Sequence, residues 1–377
     1  MPTGKVTTYD LTVGVIVDME DMIHLLSPTD APIQQGTTSS GLSLITTGTC
    51  FEKKVEWLDE ELLLPRSLAA ATATTSEGVL TVQSGHQLRF STGDVLLAAS
   101  GERLRVTGYG STADTLTVTR GFSSSTAATL TSGDTITNYG QALAEGSDPE
   151  NARSLDRTAR NNYTEIFGPT AVQVSGTENV IRKYGLSGTT EFDKQAANRI
   201  KEQFIAVDQA ILYGKALEDT NNKWRTMGGF IDFISTNVDS TTTDLTETAF
   251  LDSIQDMYDA GGAGDGLIAQ VGSKQKRTIS AWDTSITVNV NRSDTVRGQT
   301  VDVFQSDFGD ATIVLNRNVR TKDLFLYTRD QAQLCVLRPM QFEMLAKTGD
   351  SMKGQVLREC TLKFYRQAHA ARFSALT

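Results

Sequence analysis

Between residues 67 and 140 the chain changes character. The stretch holds 25 Ser or Thr and no Lys, Pro, Trp, Cys or Met. Short β-prone runs recur in it, at 79–82, 94–98, 103–107, 115–119 and 135–138, with Gly85, Gly93, Gly101, Gly108, Gly110, Gly121 and Gly133 between them. Val, Leu and Phe fall at every second position in several runs. Alternation punctuated by turn residues predicts a small antiparallel barrel or sandwich rather than a disordered Ser/Thr linker. At 377 residues the chain is also too long for one ordinary core, so two or three domains are expected.

The flanks of this block read as the two halves of a long hairpin, residues 50–66 and 146–173, with residues 67–145 inserted as a β domain. The first half contains Val55-Glu56-Trp57-Leu58-Asp59-Glu60-Glu61 and runs to Pro65, which biases Leu64 away from helix. Residues 1–49 mix Gly, Ser, Thr and Pro with few periodic apolar positions and read as an extended arm. Leu42, Leu44, Ile45 and Phe51 lack partners nearby in sequence, so the arm is expected to be ordered by neighbouring subunits.

The longest helix signal covers 191–213. Thr190 can cap it with Asp193 three residues on, and Gly214 is expected to supply a left-handed stop. Phe192, Ala196, Ile200, Phe204, Val207 and Ile211 share one face, with Lys194, Lys201, Glu202 and Asp208 placed elsewhere. The rod is about 35 Å long. A second helix is predicted over 247–260, capped by Thr246, stopped by Gly261-Gly262, and burying Phe250, Leu251, Ile254, Met257 and Tyr258. Strands are expected at 267–271, 287–291, 301–304, 312–315, 324–327 and 333–337, with a short helix near 274–281. A further strand leads through Arg338-Pro339-Met340 to a polar turn at Thr348-Gly349-Asp350 and a last strand alternating around Leu362 and Phe364. The mixture is α+β.

Composition excludes several functions. The formal charge is −10, against a protein that holds nucleic acid through phosphates. Cys50, Cys335 and Cys360 are odd in number and widely spaced, which predicts buried thiols and neither a disulfide framework nor a zinc site. The N-terminus carries no secretion signal, and no apolar run approaches the ~20 residues of a membrane helix, so no membrane partner is expected. The glycosylation-type triplets Asn162-Tyr163-Thr164 and Asn291-Arg292-Ser293 are chance matches without secretion.

No phosphate loop, His-Glu-x-x-His, Gly-x-Ser-x-Gly or dinucleotide fingerprint is present. His24, His86 and His369 lie far apart and read as surface or packed residues. Glu56, Asp59, Glu60 and Glu61 read as a solvated hairpin edge. Gly261-Gly262-Ala263-Gly264-Asp265-Gly266 lacks a flanking Lys and reads as a connector after a helix. Lys347 with Thr348-Gly349-Asp350 reads as a turn rather than an ion nest. Catalytic residues, metal ligands and cofactors are therefore expected to be none, and the chain is not expected to be an enzyme.

Four segments taken in order resemble the Hong Kong 97-type major capsid proteins of tailed bacteriophages. They are residues 55–65 with Glu56-Trp57; residues 166–176 leading to Val172-Gln173-Val174-Ser175-Gly176-Thr177; the long helix ending Ala210-Ile211-Leu212-Tyr213-Gly214; and Ala346-Lys347-Thr348-Gly349-Asp350 with Thr361-Leu362. The resemblance implies an N-terminal arm (1–49), an extended loop (50–66 and 146–173) and a peripheral domain (174–246 and 323–377) with the long helix as spine. It also implies an axial domain (247–322), where subunits meet around five- and six-fold axes. Two departures stand out: no long charged helical leader precedes the arm, so a fused scaffolding segment is expected to be absent or removed, and the inserted block is an addition.

The implied function is a structural subunit, made in the host bacterial cytoplasm, that assembles into hexamers and pentamers of an icosahedral head enclosing DNA. Its implied partners are further copies of itself, a separate scaffolding protein, a portal and a decoration protein, with packaged DNA held without sequence-specific contacts. A shell protein of a cellular nanocompartment around an enzyme cargo is the alternative. A carbohydrate-binding β protein is a distant third, since the Ser/Thr-rich block has no Trp and only Tyr109 and Tyr139 as platforms.

Overall fold

The computed structural model describes residues 30–36, 43–60, 62, 64–146, 157–183, 186, 189–262, 266–282, 303–347 and 349–377. Most of the arm, the strand expected at 287–291, Asn291, His24, Glu61, Ala263 to Asp265 and Thr348 lie outside them. The chain divides into two compact units, Met1–Trp57 with Arg160–Thr377, and Leu58–Ala159. Strands Lys54–Glu60 and Arg157–Tyr163, which pair with each other, carry the chain from one unit to the other and back.

The first unit is built on two sheets. One has four strands in the order Thr46–Thr49, Ala332–Leu345, Ser351–Phe364, Glu165–Ser175. Thr46–Thr49 runs parallel to its neighbour and the other pairings are antiparallel. The separate strands expected around 333–337 and beyond are one 14-residue strand. Its register slips between Arg338 and Gln341, where Pro339 has no N–H to give the ladder. A second slip, between Phe167 and Thr170, falls at Gly168 with φ +96°.

The other sheet has six strands in the order Asn237–Asp239, Ala371–Phe373, Leu324–Thr328, Leu267–Val271, Gly309–Leu315, Val303–Ser306. Leu267–Val271 lies at its centre and is buried at every position, Gln270 included, as a strand covered on both faces must be. Side chains divide with period two. Ile268, Phe325 and Tyr327 pack with Val207, Ile211 and Leu212 of the long helix. Leu267, Ala269, Leu324 and Leu326 pack instead with Phe250, Ile254 and Met257 of helix Glu247–Asp259 and Ile279 of helix Ser273–Ala281.

The long helix spans Glu191–Tyr213 and opens on a capping box, in which Thr190 Oγ1 accepts from Asp193 N at 3.2 Å while Asp193 reaches back to Thr190 N. Three expectations for the helices are corrected. Gly214 is not left-handed (φ −59°, ψ 151°); glycine is needed because a Cβ would sit 2.4 Å from the Met227 carbonyl oxygen and 2.5 Å from that of Ala210. Asp208 and Gln203 are buried, while Ile200 and Phe204 are only half-buried, because the stripe rotates along the helix toward two different partners. In the second helix Tyr258 is exposed, although Phe250, Ile254 and Met257 are buried and Thr246 caps it. Gly261 takes φ +96° at its end, and Gly262 N closes the turn on Met257 O at 2.9 Å.

The arm reading needs correcting where it is described. Leu44 and Ile45 are buried in the chain's own core with Ile33, so they are covered in cis; Phe51 is 89% exposed.

In the second unit six antiparallel strands follow the order Arg66–Leu68, Thr135–Gln141, Asp94–Ala98, Arg103–Tyr109, Thr115–Thr119, Val79–Thr81. The two outermost meet: Ala69 bridges Val82, Ala70 N donates to Thr81 O at 2.9 Å and Gln83 N to Leu68 O at 3.0 Å. These bonds join the outermost of the described strands, so that they close into a barrel. Leu80, Phe90, Leu96, Leu104, Leu116 and Ile136 fill it. Glu102 and Arg120 form a buried ion pair beside this core, with Nη2 to Oε2 at 2.7 Å; Glu102 also accepts from Gly121 N and Ala128 N.

Candidate assembly surfaces

The residues that could have carried chemistry are scattered and held by ordinary partners. His86 Nδ1 lies 3.0 Å from Ser67 Oγ in the barrel. His369 sits in a short turn, Gln367–His369, rather than in a strand; burial, then Arg366, lowers its pKa. Glu56 pairs with Lys54 and Glu60 with Arg157. Gly261 and Gly262 end a helix, and Asp350 O accepts from Gly176 N in the terminal turn. The three cysteines are buried thiols; burial pushes Cys50 up to about 11 and Cys360 up to about 12, which removes them as nucleophiles. Among the described residues no three His, Cys, Asp or Glu converge as a metal would need.

The groups that do converge hold the base of the hairpin. Trp57 is buried, its ring 5.8 Å from Phe233 and 6.0 Å from Tyr365. Asn162, also fully buried, donates to Gly228 O (3.0 Å) and Leu362 O (2.6 Å) and accepts from Gly228 N (2.7 Å) and Tyr163 N (2.9 Å). Its amide is saturated, which fixes the return strand against both the helix-end loop and the terminal strand. Glu359 accepts from Thr164 Oγ1 and Arg338 Nε, each at 2.8 Å, and pairs with Arg225. Burial alone raises its pKa, but Thr164, Arg338 and Arg225 together bring it below the usual carboxylate range.

A second buried acid meets amides and no cation among the described residues. Asp208 Oδ2 accepts from Asn318 Nδ2 at 3.1 Å and from Asn316 Nδ2 at 3.4 Å, and its Oδ1 is buried without a partner. Burial raises its pKa to about 6, against hydrogen bonds from Asn318, Asn316 and Gln34. Neither Asn162, Glu359 nor Asp208 was legible in the sequence. Asn162 lay in a triplet read only as a glycosylation match, and isolated polar residues carry no periodicity.

The remaining surface is apolar in places. Phe51, Leu58, Leu62, Val180, Ile181 and Met344 are each more than half exposed. Exposed apolar side chains beside a clamped hairpin base offer surface for contact with other chains.

Solved structures show the same fold. The chain of Microbacterium phage Oxtober96 matches with a TM-score of 0.52 and 12% identity, over 99% of this chain and 100% of that one. The capsid of the native GTA particle matches with a TM-score of 0.53 and 7% identity, over 96% of each. This is the Hong Kong 97-type capsid fold. No curated protein matches the sequence. A family model, SU10 major capsid protein, matches residues 1–377, and the chain belongs to that family. It is a structural virion protein, not an enzyme, and associates with further copies of itself into shell oligomers.

Proposed function

We propose that this chain tiles an icosahedral phage head, as hexamers and pentamers, around packaged DNA. The observation that carries the reading is the family match over the whole chain, joined to a two-sheet body whose hairpin base is clamped by Trp57 and Asn162. In this reading residues 50–66 and 146–173 form the extended loop that overlaps a neighbour, residues 67–145 are a domain inserted in it, and residues 174–246 and 323–377 form the peripheral domain. Residues 247–322 form the axial domain, and residues 1–49 the arm. Head-to-tail contacts that close into rings generate such a shell, and contacts by arm and loop add to its strength. Each copy buries more than roughly 2,000 Å². The charge of −10 suits a container for DNA, since a wall that gripped phosphates would oppose packing. A separate scaffolding protein, a portal and a decoration protein complete the assembly, and synthesis takes place in the host cytoplasm.

Electron microscopy of the purified protein with sedimentation tests this. Uniform closed shells tens of nanometres wide are expected, with nuclease-protected DNA in particles from infected cells. A chain that stays monomeric even with scaffolding protein supplied refutes the reading, and an enzyme in place of DNA moves it to a cellular compartment.

A further inference from the structure

The barrel's charges are sorted by place. Residues 66–141 hold five Arg, five Asp or Glu and no Lys, so the formal charge of −10 falls on the rest of the chain. All five acids are engaged within the barrel. Glu77 accepts from Thr74 N at 3.1 Å, Asp94 from Ser91 N at 2.7 Å, Asp114 from Gly85 N at 2.8 Å and Asp134 from Thr131 N at 2.7 Å. Glu102 holds Arg120.

Other arginines of the barrel are placed differently. Leu97 stands directly opposite Arg103 and Thr137, Thr137 opposite Arg66, and Val95 opposite Arg105. Directly opposed residues share a face, and the alternating Leu96, Leu104 and Ile136 fill the core, so this face is the outer one. None of these positions is acidic. Arg105 is braced by Ala142 O, which accepts from its Nε at 3.2 Å and its Nη2 at 3.0 Å. The Arg103 guanidinium lies over the exposed Tyr139 ring, 5.9 Å from its centre. Among the described residues no carboxylate pairs with Arg103 or Arg105.

The chemistry of this face selects its partner. A guanidinium is planar and pairs bidentately with a carboxylate, and Arg and Tyr dominate the energetics of protein contacts. Gripping the backbone of a polyanion takes a run of phosphate contacts and a net positive field. The barrel is formally neutral and the face carries three Arg, with Arg66 at its rim. A second copy of this chain instead offers carboxylates in excess, with ten more acids than bases outside residues 66–141. Leu97 and Tyr139, both exposed, add apolar surface between the cations.

We propose that the outer face of strands Thr135–Gln141, Asp94–Ala98 and Arg103–Tyr109, centred on Arg103 and Tyr139, is a contact surface for the acidic residues of a second copy of this chain outside 66–141. The Arg103 guanidinium pairs with a carboxylate of that copy while the Tyr139 ring backs it. The contact rests on the proposed shell reading and gives the inserted domain a task within it, local attraction between subunits that repel one another as wholes.

The test uses the full chain with a benzophenone amino acid replacing Tyr139, assembled from equal parts of isotopically light and heavy copies, irradiated and mapped by mass spectrometry. Cross-links joining a light copy to a heavy one, on residues outside 66–141, are expected. Arg103→Glu is expected to raise the protein concentration at which shells appear at least roughly ten-fold, and Arg103→Lys to raise it less. The cross-link needs neither variant, so it stands whether or not they fold. Shells in which position 139 links only within its own copy overturn the proposal and leave the shell reading intact. Retention of the unmodified chain on immobilised heparin, abolished by Arg103→Glu with no change in the shells, assigns the face to a polyanion and also overturns it. An unmodified chain that never forms shells refutes the proposed function, and this proposal with it.

Discussion

Asp208 and Glu102 show how differently a buried carboxylate can be treated. Glu102 is matched by Arg120 and two backbone N–H groups, and these outweigh its burial to bring its pKa below normal. Arg120→Ala leaves that charge buried and uncompensated, so a loss of roughly 3–5 kcal/mol is expected in the barrel's thermal or urea unfolding; the double variant Glu102→Leu/Arg120→Met recovers only part of it, because Gly121 N and Ala128 N lose their acceptor. Asp208 has only amides, and burial raises its pKa to about 6 from 3.8. The folded state then binds more protons than the unfolded state between these values, so stability falls as pH rises from about 4 to 6 and stays reduced above, by on the order of 2–3 kcal/mol. Asp208→Asn should flatten that decline and raise stability at pH 7, and an unchanged slope in urea unfolding between pH 4 and 7 would contradict the assignment. The sequence showed Asp208 only as a polar position off the apolar stripe, because a carboxylate buried among distant amides is set by tertiary contacts alone.

At the scale of elements, apolar patterning together with cap and turn residues was informative for the longer segments. The barrel strands Asp94–Ala98 and Thr115–Thr119, the central strand Leu267–Val271 and the helix Glu191–Tyr213 coincide with their sequence expectations. Thr46–Thr49, Asn237–Asp239 and Ala371–Phe373 were not legible, because three- and four-residue strands show no period and their partners lie far along the chain. The end of the long helix was located correctly, for a different reason than the one expected. Gly214→Ala keeps ordinary backbone angles yet drives a methyl into two carbonyl oxygens, and a destabilisation of about 2–4 kcal/mol in thermal unfolding is expected. For the proposed inserted domain, replacing residues 67–145 by a short linker should leave the body folded by circular dichroism but yield few or fragile shells. Shells of normal number and heat resistance from that variant would remove its reinforcing role.

For the whole molecule, charge and chain order matter more than any single contact. Copies that each carry −10 repel one another as they approach within about a Debye length, about 10 Å at 0.1 M salt, and further out at lower salt. Raising salt from low to about 0.5 M should therefore lower the protein concentration at which shells appear in light scattering; the opposite trend would mean that complementary charges dominate the contacts. The order of strands bears on synthesis. All strands of the barrel are complete once residue 141 has been made, and each pairs within that stretch. Glu165–Ser175 has no partner until Ser351–Phe364 is translated, and Leu324–Thr328 gains its second neighbour only with Ala371–Phe373. At roughly 5–20 residues per second the first of these waits lasts about 10–40 s. The barrel can thus finish folding on the ribosome while the larger sheet strands are still single, so the cell must hold the nascent body soluble until nearly its last residue has emerged.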